Sequence, residues 1–157
     1  LLNIAQLQAG DRRSRFTNVD VSKVLRNVLE AYEAVISDTG YVLNRVSIPA
    51  VEHYVQGDAE LLTQLFANLI DNVLQHTPCG TKLNVSLSPE PSAIVVTVAD
   101  NGPGIPASEA GNVLRRFYRL ERARSGPGHG LGLNLVSAIA DLHSAKLDLV
   151  DNRPGLK

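Results

Sequence analysis

From residue 21 to about residue 36, Val24, Leu25, Val28, Leu29, Tyr32 and Val35 recur every three or four positions, the spacing that lines one face of an α-helix. Asp20 or Ser22 stands where a cap would accept the first unpaired helical amides. A second helix is expected after Asp58, its N-cap, with Leu62, Leu65, Phe66, Leu69, Ile70 and Val73 as a core stripe that ends before Pro78. Between the two, the loosely alternating residues 42–48 and the pair Tyr54-Val55 predict short strands. Residues 82–88 and 94–99 predict an antiparallel pair joined by Pro89-Glu90-Pro91-Ser92, the second strand too apolar to be an exposed edge. A last helix over 131–142 and a strand over 147–150 follow. Residues 101–129, rich in Gly, Pro and Arg, predict a functional loop, because so long a connection is unusual in a compact domain.

Leu1, Leu2, Ala5 and Leu7, ending at Gly10, pattern as the last turns of an amphipathic helix. The organisation expected is therefore a helix remnant over 1–10, a charged linker over 11–15 and one domain over 16–157. Because the first residue is Leu1, the chain is expected to be a fragment of a longer protein. Composition agrees with one domain: of 157 residues, 44% are hydrophobic and 20% charged, enough for a packed core.

Fifteen Lys and Arg against sixteen Asp and Glu give a net charge of −1, so no global field favours nucleic acid or an anionic membrane. Cys79 has no second cysteine to pair with, and no Cys/His cluster has zinc spacing, which points to a cytoplasmic setting. The longest strongly apolar stretch, 93–99, falls far short of the ~20 residues a membrane helix needs. The expectation is a cytoplasmic piece without membrane contact, from a parent open to inner-membrane anchoring.

Three constellations carry chemistry. On the second helix, Asn68 and Asn72 are one turn apart, beside Gln64, Asp71 and Gln75 on the face opposite the core stripe. Asparagine is a poor interior helix residue, and its amide oxygen is a hard ligand suited to Mg²⁺ shared with phosphates. Asp100-Asn101-Gly102-Pro103-Gly104-Ile105 ends an apolar strand, where a carboxylate can accept from a ligand amine and glycines admit close approach. Gly126-Pro127-Gly128-His129-Gly130-Leu131-Gly132-Leu133 opens a helix, whose free amides and dipole favour an anion. Taken singly, these fit a solvated helix face, a strand-end turn and a flexible connection. Their order and coincidence are the stronger signal.

With these motifs in that order, the chain from about residue 16 onward resembles the ATP-binding catalytic domain of bacterial sensor histidine kinases. That domain belongs to the superfamily shared with gyrase, the ninety-kilodalton heat-shock chaperone and mismatch-repair ATPases. Residues 65–77 look like the family's N box, 100–105 like its G1 box, Phe117-Tyr118-Arg119 like its F box and 128–133 like its G2 box.

The resemblance implies a Bergerat-type ATP-binding fold: a two-layer α/β sandwich with a mixed, mostly antiparallel sheet and helices on one face. It implies that Asn72 ligates the Mg²⁺ bridging the phosphates, that Asn68 flanks that site, and that Asp100 accepts from the adenine amine in a pocket shaped by Gly102, Gly104 and Ile105. Gly128, Gly130 and Gly132, with His129, Leu131 and Leu133 between them, would close over the phosphates, and Arg119 would reach the terminal one. Gln75 stands where many relatives have lysine, followed by His76, a candidate phosphate donor. No acceptor histidine precedes an acidic residue near a dimerisation helix. The family's final strand is missing or incomplete after 152–155.

The function implied is phosphoryl transfer from ATP to a histidine on a dimerisation domain outside this sequence, for relay to a response regulator, within a homodimeric parent. The alternatives are a serine kinase or ATPase of the same superfamily, or a degenerate module that binds nucleotide or a partner without chemistry.

Overall fold

A computed structural model describes residues 12–106, 108 and 132–157. The helix remnant, the F-box residues with Arg119, and Gly128, His129, Gly130 and Leu131 lie outside them. After a 3₁₀ turn at Arg13–Arg15 come β1 (Thr17–Asp20), α1 (Val21–Asp38), β2 (Val42–Ser47), β3 (Tyr54–Gly57), α2 (Ala59–His76), β4 (Lys82–Pro89), β5 (Ile94–Asp100) and α3 (Gly132–Leu142).

Local chemistry sets both long helix starts. Asp20 Oδ1 accepts from Ser22 N at 3.0 Å and from His53 N at 3.1 Å, so one carboxylate caps α1 and holds the approach to β3. Asp58 Oδ1 accepts from Glu60 N at 2.9 Å and Leu61 N at 3.1 Å, filling two of the orphan donors of α2. Asp58→Ala is expected to cost about 1 kcal/mol, read as a lower urea midpoint with an unchanged slope.

Two sheets form. β1 pairs antiparallel with β3, while β2, β4 and β5 make a three-stranded sheet in that order, β2 parallel and β5 antiparallel to β4. The core lies between that sheet and the pair α1–α2, with Leu25, Ile36, Ile70, Leu83 and Val85 essentially inaccessible. A smaller cluster of Leu61, Ile139 and Leu142 joins α2 to α3 and takes in Phe16, Leu65, Leu135 and Ala138.

Three expectations are corrected. β1 has no counterpart in the sequence prediction, because only Val19 of its four residues is buried and so short a run has no readable period. Among the described strands β5 is an edge, with one side on β4. Val96, Val98 and Ile94 pack on the core while Val95 is exposed, so its apolar run reflects one covered face rather than two neighbours. Residues 147–150 form no strand. The chain turns at 152–155 and pairs with itself at the end of that stretch, Val150 N to Lys157 O at 2.7 Å and Lys157 N to Val150 O at 2.9 Å.

Candidate functional site

The face of α2 away from the core is divided between two neighbours. Asp71 turns to α1, where its Oδ1 accepts from Tyr32 Oη at 2.9 Å. It therefore does not stand beside the two asparagines as its sequence position suggested. Burial and the Asp71 carboxylate push the Tyr32 phenol up to about 12 from an ordinary 10.0. A phenol whose proton is held more tightly in the folded state stabilises fully below the ordinary value, and that contribution is lost as pH rises through the folded one. Absorbance titration is expected to find one tyrosine ionising near pH 12 in the wild type, and Asp71→Ala should bring it part of the way down.

The asparagine face meets α3. Asn68 is half-buried and its Nδ2 donates to Gln64 O at 2.7 Å, one turn back. Asn72 is half-buried at the start of α3, and its Nδ2 is inaccessible to solvent and without a partner among the described residues. A Cβ on Gly132 would lie 2.8 Å from Asn72 Oδ1 and 3.3 Å from Nδ2, so any larger residue there requires the Asn72 amide or the helix start to shift. The structure thus brings Asn72 against Gly132, at the positive end of α3. Leu133 follows, half-buried, and His76 is exposed in the last turn of α2.

β5 delivers Asp100 to the other end of the site, 5% exposed. Its Oδ1 accepts from Gly102 N at 2.8 Å and from Leu156 N at 3.3 Å, while Oδ2 has no hydrogen-bond partner among the described residues. Gly102 is buried against Thr77, while Gly104 and Ile105 are half-buried. An open groove of about 420 Å³ runs between residues 78–81 and 101–103. Among the described residues no three His, Cys, Asp or Glu side chains converge as metal ligands.

Sequence analysis missed the clasp on Asp100. Asp100 N donates to Leu156 O at 2.8 Å and Asn152 Nδ2 donates to Asp100 O at 2.7 Å. Gly155 sits at φ +104, and a Cβ there would fall on the Asp100 carbonyl. The signal lay in Asn152-Arg153-Pro154-Gly155, a turn sequence whose target only tertiary structure reveals.

Residues 57–156 match the family profile described as histidine kinase-, DNA gyrase B- and HSP90-like ATPase. The chain is 35% identical over 140 residues to the signal transduction histidine-protein kinase/phosphatase MprB of Mycobacterium leprae, covering 88% of this chain and 26% of that protein. It is 34% identical over 135 residues to the adaptive-response sensory kinase SasA of Synechocystis, covering 85% of this chain and 35% of that one. It thus spans about a quarter to a third of the length of these relatives. A solved structure of the mycobacterial sensor histidine kinase MprB superposes with a TM-score of 0.74 at 31% identity, over 90% of this chain and 92% of that one. The catalytic domain of histidine kinase ThkA reaches 0.79 at 22% identity, over 90% of each chain, which speaks for the fold alone.

Proposed function

The chain belongs to the family of histidine kinase-, DNA gyrase B- and HSP90-like ATPases, and from that membership we propose that it is the ATP-binding catalytic domain of a sensor histidine kinase. It transfers the γ-phosphoryl group of ATP to a histidine on the parent's dimerisation domain, from which a response-regulator aspartate receives it. The parent acts as a homodimer and this domain works in the cytoplasm. No helix among the described residues is long and apolar enough to cross a membrane.

The observation that carries the proposal is the contact of Asn72 with Gly132. It sets an orphan amide beside an anion-binding helix start, which suits a metal shared with phosphates. The Asn72 amide oxygen would hold Mg²⁺ with oxygens of the triphosphate, and bound Mg²⁺ supplies neutralisation of phosphate charge. The amides of 128–132 and the guanidinium of Arg119 hold the outer phosphates, and Asn68 flanks them. Asp100 reads adenine through Oδ2, its other oxygen being engaged by Gly102 and Leu156. The imidazole of the acceptor attacks the γ-phosphorus in line, and ADP leaves as the P–N bond forms.

The hydrolytic alternative is disfavoured by two side chains. A hydrolysing site needs a base one turn before the metal-binding asparagine, and Asn68 has no useful basicity there. Asp71 is bonded to Tyr32 on the opposite flank. The chain alone is therefore expected to bind ATP·Mg²⁺, to hydrolyse it very slowly and to label none of its own residues. ATP·Mg²⁺ at ~100 times Kd should stabilise it by about 2.7 kcal/mol, read as a rise in Tm. A separately supplied dimerisation domain bearing the histidine should become labelled, weakly, because tethering is lost. An unmoved Tm at millimolar ATP·Mg²⁺ would refute nucleotide binding, and turnover at rates typical of an ATPase would establish the hydrolytic alternative.

A further inference from the structure

The end of the α2–α3 pair remote from Asn72 is fastened by Arg13, Phe16 and His143. α2 and α3 pack antiparallel: Leu61 of the first turn of α2 meets Ile139 and Leu142, while Asn72 meets Gly132. Along α2 the two contacts are eleven residues apart, about 16 Å, and along α3 Ile139 and Leu142 stand seven and ten residues from Gly132.

At the remote end, Arg13 Nε donates to Leu142 O at 2.9 Å and Arg13 Nη2 to Asp141 O at 3.1 Å. Both acceptors are last-turn carbonyls at the negative end of the helix, and Asp141 O also accepts from Ser144 N at 3.0 Å. Phe16 stacks on the His143 ring, centroids 4.7 Å apart and planes inclined by 17°, and also packs into the Leu61–Ile139–Leu142 cluster.

His143 continues the fastening into α2. Its Nε2 lies 3.0 Å from Asp58 N, an amide that can only donate, so Nε2 accepts. Nδ1 then donates to Ile139 O at 2.8 Å. The ring thus bridges the cap of α2 to the body of α3 and cannot turn over without losing both bonds. Gly57 leaves room for it, since a Cβ there would lie 2.8 Å from the ring.

We propose that Arg13, Phe16 and His143 form a latch by which the segment entering the domain fixes α3 along α2, so that these three act as positioning residues for the Asn72–Gly132 contact. The proposal rests on the ATP-site reading for its consequence but not for its geometry. A chain segment pulled away at Arg13 frees the last turn of α3 and lets the helix slide. Gly132 then leaves Asn72, and the phosphate end of the site loosens without any change in a residue that touches nucleotide.

The test uses the 157-residue chain with Arg13→Ala, Phe16→Ala and the double variant. Arg13 is exposed and outside the core, so its loss leaves the fold intact. Native-state hydrogen exchange is followed without nucleotide at Val136 and Ser137, the first amides of α3 with helical acceptors, and at Leu25 and Val28 of α1. Exchange at Val136 and Ser137 should speed up about three- to tenfold in the variants, with the α1 amides unchanged, and Kd for ATP·Mg²⁺ should rise by a similar factor. Unchanged exchange in the double variant overturns the latch. So does an equal acceleration in α1 and α3, which marks a general loss of stability. Faster exchange in α3 with an unchanged Kd overturns the link to the site. Exchange is read without nucleotide, so a wild-type chain that bound no ATP would defeat the proposed function and leave the latch itself still decided by the exchange rates.

Discussion

Gly132→Ala is expected to weaken ATP·Mg²⁺ binding by roughly 10- to 100-fold, the order of loss when one contact to a charged group, about 1.5–3 kcal/mol, is broken. The added Cβ would stand 2.8 Å from Asn72 Oδ1, closer than a carbon and an oxygen approach without bonding. Either the first turn of α3 lifts off α2 or the Asn72 amide rotates away. Both separate the oxygen proposed to hold Mg²⁺ from the start of α3. Stability should not fall in parallel, since alanine is favoured over glycine in a helix by about 1 kcal/mol and the clash is at one end of a packed pair. Calorimetric titration with ATP·Mg²⁺, beside a urea melt, separates the two effects. Wild-type affinity in a folded Gly132→Ala protein contradicts the placement of the phosphates at this contact.

The second large effect is expected at a residue with no chemistry of its own. Gly155→Ala places a side chain at φ +104, where a Cβ would meet the Asp100 carbonyl. Strain in that region costs about 1–3 kcal/mol, and the turn escapes it by leaving. Departure removes the Leu156 N–H and the Asn152 amide from Asp100, each bond contributing about 1 kcal/mol. A loss of about 3 kcal/mol is expected in a urea melt. Adenine nucleotides should also bind more weakly, because Asp100 is then held by Gly102 alone. Asn152→Ala, which deletes one bond and no geometry, should lose about 1 kcal/mol. If Gly155→Ala melts like the wild type, the clasp is not holding the carboxylate.

Much of the fold was legible because its signals are local. The stripes of α1 and α2, their caps Asp20 and Asp58, and the β4–β5 pairing come from spacing within twenty residues, and they form as expected except at Val35, which is exposed while its neighbour Ile36 is buried. The two asparagines were legible as misplaced helix residues. What they face was not, because the partner of Asn72 is Gly132, sixty residues on, and the partner of Asp71 is Tyr32 on another helix. Residues 147–150 pattern as a strand, yet the turn at 152–155 folds them back onto their own sequel. Periodicity records that a face is apolar and carries no information about whether a neighbour strand is present. Arg13, in a run of charges that looks like a solvated linker, donates twice to α3, and only the position of those carbonyls could have shown it.

The clasp on Asp100 also orders events in time. Asp100 and Leu156 are 56 positions apart, and Asn152 is 52 from the carbonyl it binds. Ribosomes extend a chain at about 5–20 residues per second, so Asp100 waits about 3–10 s for these partners to be synthesised. Through that interval Asp100 lacks the Leu156 and Asn152 bonds that hold it in the folded domain. On the proposed reading, in which Asp100 meets adenine, a chain extended only through residue 151 lacks both of these partners of Asp100, however much of the rest has folded.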